Sequence, residues 1–173
     1  MITPDYLRLM AAYTLWQNSS IYNAAATLSD EERKEDRGAF FGSIHETLNH
    51  LLWGDQLWLH RFAGTGEPRA GNIASSTTQY EDWTDLSAAR SATDSDVSAW
   101  AASADTEMLA GELSWYSAAM QTEIRRPRWA LIVHFFNHGT HHRGQVHGML
   151  TAAGARPTDT DLPFMPAEHY PWP

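Results

Sequence analysis

The chain has 173 residues, 43% apolar and 12% aromatic, with eight Trp and no cysteine, a length that suits a single domain over 1–173 able to close its core without disulfides. Twelve Lys and Arg against 21 Asp and Glu leave a formal net charge of −9, which works against phosphate backbones and anionic membranes, so neither is an expected partner. No run approaches the ~20 apolar residues of a membrane span, and the opening Met1-Ile2-Thr3-Pro4-Asp5-Tyr6 lacks the basic start and apolar run of a secretory signal, so a cytoplasmic location is expected.

Four helical patterns are predicted in chain order. The first runs from about Tyr6 to Leu28, where Leu7, Met10, Ala11, Leu15, Ile21 and Ala25 follow a 3.6-residue spacing and Thr3-Pro4 supplies the cap and first turn. Ser29-Asp30-Glu31-Glu32 reads as a short capped turn, followed by a polar stretch to Gly38. The second helix spans about Ser43 to Phe62, with Ile44, Leu48, Leu51, Leu52, Leu59 and Phe62 on one side, and stops at Gly64-Thr65-Gly66-Glu67-Pro68.

Residues 64–78 are expected to be a loop, and a third helix from about Tyr80 to Ala104 turns Trp83, Leu86, Ala89, Val97 and Trp100 inward. Leu113-Ser114-Trp115-Tyr116 and Thr122-Glu123-Ile124 suit short extended pieces, and Arg125-Arg126-Pro127-Arg128 suits a solvated loop entering the next helix. The fourth helix runs from about Pro127 to Ala153, ended by Gly154 and Pro157, and the proline-rich tail from Asp159 to Pro166 is expected to pack as an extended arm. Four helices of this length point to an all-α fold, an antiparallel four-helix bundle, in which metal sites form between facing helices.

The fourth helix carries His134, His138 and His142 at successive i+4 steps, so neighbouring imidazoles share a face. Each step advances the face by about 40°, so three in a row cannot ligate equally; a central pair completed by another helix is the better geometry. A hydrogen-bonded core stripe is the alternative, but it must account for nine histidines in a cysteine-free chain. The second helix offers His50 in His45-Glu46-Thr47-Leu48-Asn49-His50. His45 and His50 are five apart with Asn49 at the position a zinc-protease motif needs for histidine, which disfavours peptidase chemistry. Three neutral imidazoles leave a coordination position for water or substrate.

Other residues have candidate roles around such a site. Glu46 suits an acceptor for a ligand imidazole's second nitrogen, and Gln145 suits a histidine or a bound ligand. Arg143 suits a salt bridge with Asp55 or Glu46, or an anionic substrate. Trp16, Trp53 and Trp58 are read as core first and pocket walls second.

Leu48-Asn49-His50-Leu51-Leu52 followed by Asp55 and Trp58-Leu59, with His134-Phe135-Phe136-Asn137-His138 running into His141-His142-Arg143-Gly144-Gln145, resemble the DinB family of metal-binding proteins. The likeness extends to Tyr13 and Trp16 and to the Asp161-Leu162-Pro163 tail. It implies a DinB/YfiT-like four-helix bundle, up-down-down-up and usually dimeric, with His50, His138 and His142 as metal ligands and His134 and His141 outside the triad. Related bundles include transferases and isomerases that use small-molecule thiols. The resemblance therefore implies transfer of a low-molecular-weight thiol to a small electrophile at a divalent zinc or nickel ion. Alternatives are a metal-dependent hydrolase and a noncatalytic, damage-inducible metal- or ligand-binding protein.

Overall fold

The computed structural model describes residues 2–118 and 120–172. In chain order it contains α1 (Pro4–Ala26), α2 (Asp30–Lys34), α3 (Ile44–Ala63), α4 (Ile73–Ser76), α5 (Trp83–Ala102), α6 (Thr106–Leu109), β1 (Glu112–Ser117), β2 (Thr122–Pro127) and α7 (Arg128–Ala152). Short 3-10 turns follow at Leu162–Phe164 and Ala167–His169.

Local chemistry sets the helix ends. The Thr3 hydroxyl accepts from the Tyr6 amide at 3.2 Å ahead of Pro4, and Ser43 and Glu46 form a reciprocal capping box at the start of α3. Gly64 closes α3 at φ 74°, a left-handed conformation that favours glycine. The third helix begins at Trp83, later than the spacing suggests, because the Asp82 carboxylate caps the amides of Thr84 and Asp85 and leaves Tyr80 outside.

Four long helices, α1, α3, α5 and α7, carry the packing: α1 and α3 each pack on both α5 and α7. One apolar cluster joins Leu7 and Ala11 of α1, Trp58, Leu59 and Phe62 of α3, Val97 and Trp100 of α5, and Leu131 to Phe136 of α7. A second joins Ile21 to Ala25 of α1, Ile44 to Leu52 of α3, Leu86 of α5, and Val146 to Leu150 of α7. Leu15, expected inward, is 36% exposed, and the neighbouring Trp16 is buried instead.

Between the clusters every long helix contributes buried polar groups. Arg90 Nη1 lies 2.6 Å from Asp55 Oδ2 and Arg90 Nη2 lies 2.8 Å from Asp94 Oδ1. The Asn18 amide donates to that same Asp94 oxygen at 2.8 Å. Burial works against the Arg90 charge, but the carboxylates of Asp94 and Asp55 outweigh it and raise its pKa. Arg143 of α7 lies in the same layer, buried beside Tyr13.

The fold is mostly helical, and the extended pieces expected at 113–116 and 122–124 are β1 and β2, which pair antiparallel with Leu113 opposite Arg126 and Trp115 opposite Ile124. Leu113 and Trp115 lean on the first apolar cluster while Ser114 and Tyr116 face solvent, a period-two pattern that a strand satisfies and a helix does not. Arg125 and Arg126 therefore lie in β2 rather than in a loop; Arg125 pairs with Glu112 at 2.6 Å, and α7 starts at Arg128. The stretch 64–78 is also not all loop, since Asn72 caps the single turn of α4.

The tail follows α1 through Thr158 to Ser20, Gln17 to the Asp159 carbonyl and Tyr13 to the Thr160 carbonyl, at 2.7–2.9 Å. It then forms its two 3-10 turns rather than staying extended throughout. Among the described residues, no helix is long and apolar enough to cross a membrane.

Replacing Arg90 with Met leaves the Asp55 and Asp94 carboxylates buried without their counter-charge. The expected loss is roughly 3–5 kcal/mol of unfolding free energy, read from urea denaturation; a loss under 1 kcal/mol would show the layer to be dispensable.

Candidate metal centre

The facing sides of α3 and α7 bring together the imidazoles of His50, His138 and His142, each offering one ring nitrogen within 4.8 Å of the others. His138 and His142 share a face of α7 with ring centroids 4.5 Å apart, as the i+4 spacing dictates. His50 reaches them from α3, its Nε2 3.3 Å from His138 Nε2. The close approach depends on Gly54: a Cβ there would stand 2.7 Å from His138 Cε1.

The hydrogen bonds settle which nitrogens are free. The Ser76 hydroxyl donates its proton to the Ile73 carbonyl at 2.6 Å, so at 2.8 Å it accepts from His50 Nδ1–H. His142 Nδ1 donates to the Gln145 amide oxygen at 2.8 Å. Both rings are thereby held with an unprotonated Nε2. Burial, and then the His142 charge, push His50 down to about 4. Burial, then His142 and the other neighbouring imidazoles, push His138 down to about 3. Burial also lowers His142, against the Gln145 bond. All three are neutral at pH 7.

This donor set fits a metal ion. Two imidazole nitrogens bound tetrahedrally at about 2.0–2.1 Å lie about 3.3–3.4 Å apart, the spacing between His50 and His138. Nitrogen-only coordination of this kind suits a first-row divalent ion.

The surroundings differ in part from the sequence expectations. Gln145 orients a histidine, but Glu46 does not: its carboxylate is held by the Ser43 amide and hydroxyl at 3.1 and 2.9 Å, capping α3. Ser76 takes the role beside His50. Arg143 forms no ion pair with Asp55 or Glu46 within 4 Å among the described residues, because Arg90 engages Asp55; it lies back on Gly139 with a 3.4 Å bond to Thr140. Trp16 is buried against Tyr13 rather than beside the histidines. Trp53 does flank the site, 5.7 Å from the His50 ring, with its indole N–H on the Ala70 carbonyl. His134 and His141 are exposed, each ring next to one member of the cluster.

Two contributors escaped the sequence reading. Phe41 lies 4.0 Å from the His50 ring and 5.5 Å from that of His142, forming an apolar wall; an aromatic pair just ahead of a helix cap was its only signal. Ser76 carried none within a Ser- and Thr-rich stretch.

A model of the DinB family matches residues 1–171. The chain is also similar to protein DinB of Bacillus subtilis (strain 168), 26% identical over 174 residues that cover 91% of this chain and 93% of that protein.

Elemental mass spectrometry after zinc loading is expected to find near one ion per chain, lost in His50→Ala, His138→Ala and His142→Ala and kept in His134→Ala and His141→Ala. Gly54→Ala, which drives a methyl group into the His138 ring, is expected to lose at least tenfold in affinity. Retention of metal by all three ligand-position variants would return these histidines to a core role.

Unfolded histidine binds a proton near 6.5, whereas His50 and His138 do so in the folded chain only near 4 and 3. Their contribution to stability is therefore complete above pH 6.5 and is lost as pH falls toward 3. Metal-free protein is expected to melt at progressively lower temperature from pH 7 to pH 4, and His138→Gln to flatten that slope. A slope unaltered in the variant would contradict the assignment.

Proposed function

We propose that this chain, which belongs to the DinB family, is a metal-dependent enzyme that transfers a low-molecular-weight thiol to a small electrophile, with His50, His138 and His142 holding a zinc or nickel ion. The observation that carries this reading is the convergence of three neutral imidazoles in a chain with no cysteine of its own. A divalent ion there supplies Lewis acidity that favours the thiolate form of an incoming thiol. Sulfur bonds to the electrophilic carbon, the leaving group departs with its electron pair, and the thiol proton passes to water.

The chain's own residues prepare that exchange. Ser76 and Gln145 hold the His50 and His142 rings with Nε2 turned inward. Phe41 and Trp53 wall one side with apolar surface, which strengthens electrostatic interactions by excluding water.

The reading includes an up-down-down-up bundle. It is supported by the composition of the two apolar clusters: the starts of α1 and α7 join the ends of α3 and α5 in one, and the reverse holds in the other. It also includes a cytoplasmic homodimer, for which exposed Phe40, Tyr116, Met120 and Phe164 offer apolar surface.

The test is a screen of zinc- and nickel-loaded protein against paired panels of small thiols and electrophiles, with conjugates identified by mass spectrometry. Thiol-dependent product that falls at least 100-fold in His138→Ala supports the reading. Product formed without thiol would make the protein a hydrolase, and bound metal with no turnover on either panel would make it a binding protein.

A further inference from the structure

The seam between α3 and α7 continues past the three histidines. Trp58 lies two turns beyond His50 on α3, its ring 5.2 Å from that of His134, which is 5.7 Å from His138. His134 is exposed, so this stretch of the seam is open to solvent. One turn further, the Arg61 guanidinium lies 4.7 Å over the Trp58 ring and 5.2 Å over that of Trp115, which β1 brings edge-on to Trp58 at 5.5 Å.

Among the described residues Arg61, like Arg69 and Arg156, has no ionic partner, but it is half-buried where those two are exposed. Arg8, Arg33, Arg37, Arg90 and Arg125 each have a carboxylate within 4 Å. Among the described residues Arg61 has neither a carboxylate at that distance nor a hydrogen-bond acceptor, in a chain with 21 acidic residues to choose from. Glu112, at the start of the same strand as Trp115, is engaged by Arg125 at 2.6 Å. A second guanidinium, that of Arg128, donates to the carbonyl of Phe62, the next residue along α3, at 3.3 Å. The result is a half-buried cation on an aromatic platform, with its N–H edges uncommitted.

A guanidinium seated on indole faces presents its planar fork outward, the geometry that binds a carboxylate through two parallel hydrogen bonds. The indoles beside it offer surface for the flat or apolar body of the same molecule. Eleven residues separate His50 from Arg61, close to three turns, so the two share a face of α3 about 16 Å apart. That is about the reach of an extended chain of five residues.

We propose that Arg61, Trp58 and Trp115 form a subsite for the carboxylate end of an elongated, partly apolar substrate whose other end lies at the three histidines. This deepens the thiol-transfer reading and rests on it for the events at the histidine end. Carboxylate binding at Arg61 stands independently of metal and of turnover.

The experiment is an NMR titration of metal-free and zinc-loaded protein, labelled on Arg and Trp side chains, with 2-naphthoate and with the uncharged 2-naphthamide. The expected result is movement of the Arg61 Nε–H and the Trp58 and Trp115 indole signals by naphthoate, with naphthamide at least tenfold weaker. Arg61→Gln is expected to lose at least tenfold in naphthoate affinity and none for naphthamide, and Arg61→Lys to keep part of it. Equal binding of the two probes by the unaltered chain would overturn the proposal, and needs no variant to fold. So would an Arg61→Gln protein that melts lower yet binds naphthoate within twofold, which would confine Arg61 to packing at the end of α3. A failed thiol-transfer screen leaves either outcome readable, since no thiol is present.

Discussion

Arg90 is held between two buried carboxylates, Asp55 on α3 and Asp94 on its own helix, and that arrangement ties the long helices to one another. Asn18 extends it to α1, and Arg143 brings α7 to the same level. Apolar packing above and below is permissive about sliding, because a leucine one turn along fills much the same space. A buried charge is not permissive: out of reach of its partner it stays desolvated and unpaired. The layer thus sets the axial register between two apolar clusters that could not set it as sharply themselves.

The histidine cluster inherits that register. Asp55 follows Gly54, against which the His138 ring packs, and Arg143 follows His142. A slip of α3 against α7 by one turn, about 5.4 Å, would part His50 from the other two imidazoles and set a side chain where Gly54 now leaves room. Ser76 and Gln145 then fix the ring tautomers from outside. Positional precision comes from the charged layer, neutrality from burial, and the choice of tautomer from the flanking hydrogen bonds.

Much of the fold is legible because long helices bury a stripe that sequence periodicity reports directly. Ile44, Leu48, Leu51, Leu52, Leu59 and Phe62 are all buried, as their spacing requires. Legibility fails where one residue has two uses. Glu46 is equally suited to a histidine's second nitrogen and to a capping box, and the local cap takes it because Ser43 is three residues away. Arg143 and Arg90 both suit Asp55, and only the packing of α5 on α3 chooses between them. The hairpin was visible as two extended fragments, but not its pairing, which no local pattern encodes.

What the sequence determined by itself are the properties that live within about one helical turn. These are the caps at Thr3 and Ser43, the stop at Gly64, the shared face of His138 and His142, and the absence of any cysteine thiolate ligand. Tertiary structure alone decided what depends on separate segments meeting. Ser76 reaches His50 across 26 residues of chain, Phe41 closes over the imidazoles, and Trp115 comes from a strand to meet Arg61 beside Trp58. The physical reason is range. Backbone hydrogen bonding and side-chain spacing act over a few residues, whereas shape and charge complementarity select distant partners only after the core has fixed where each surface stands.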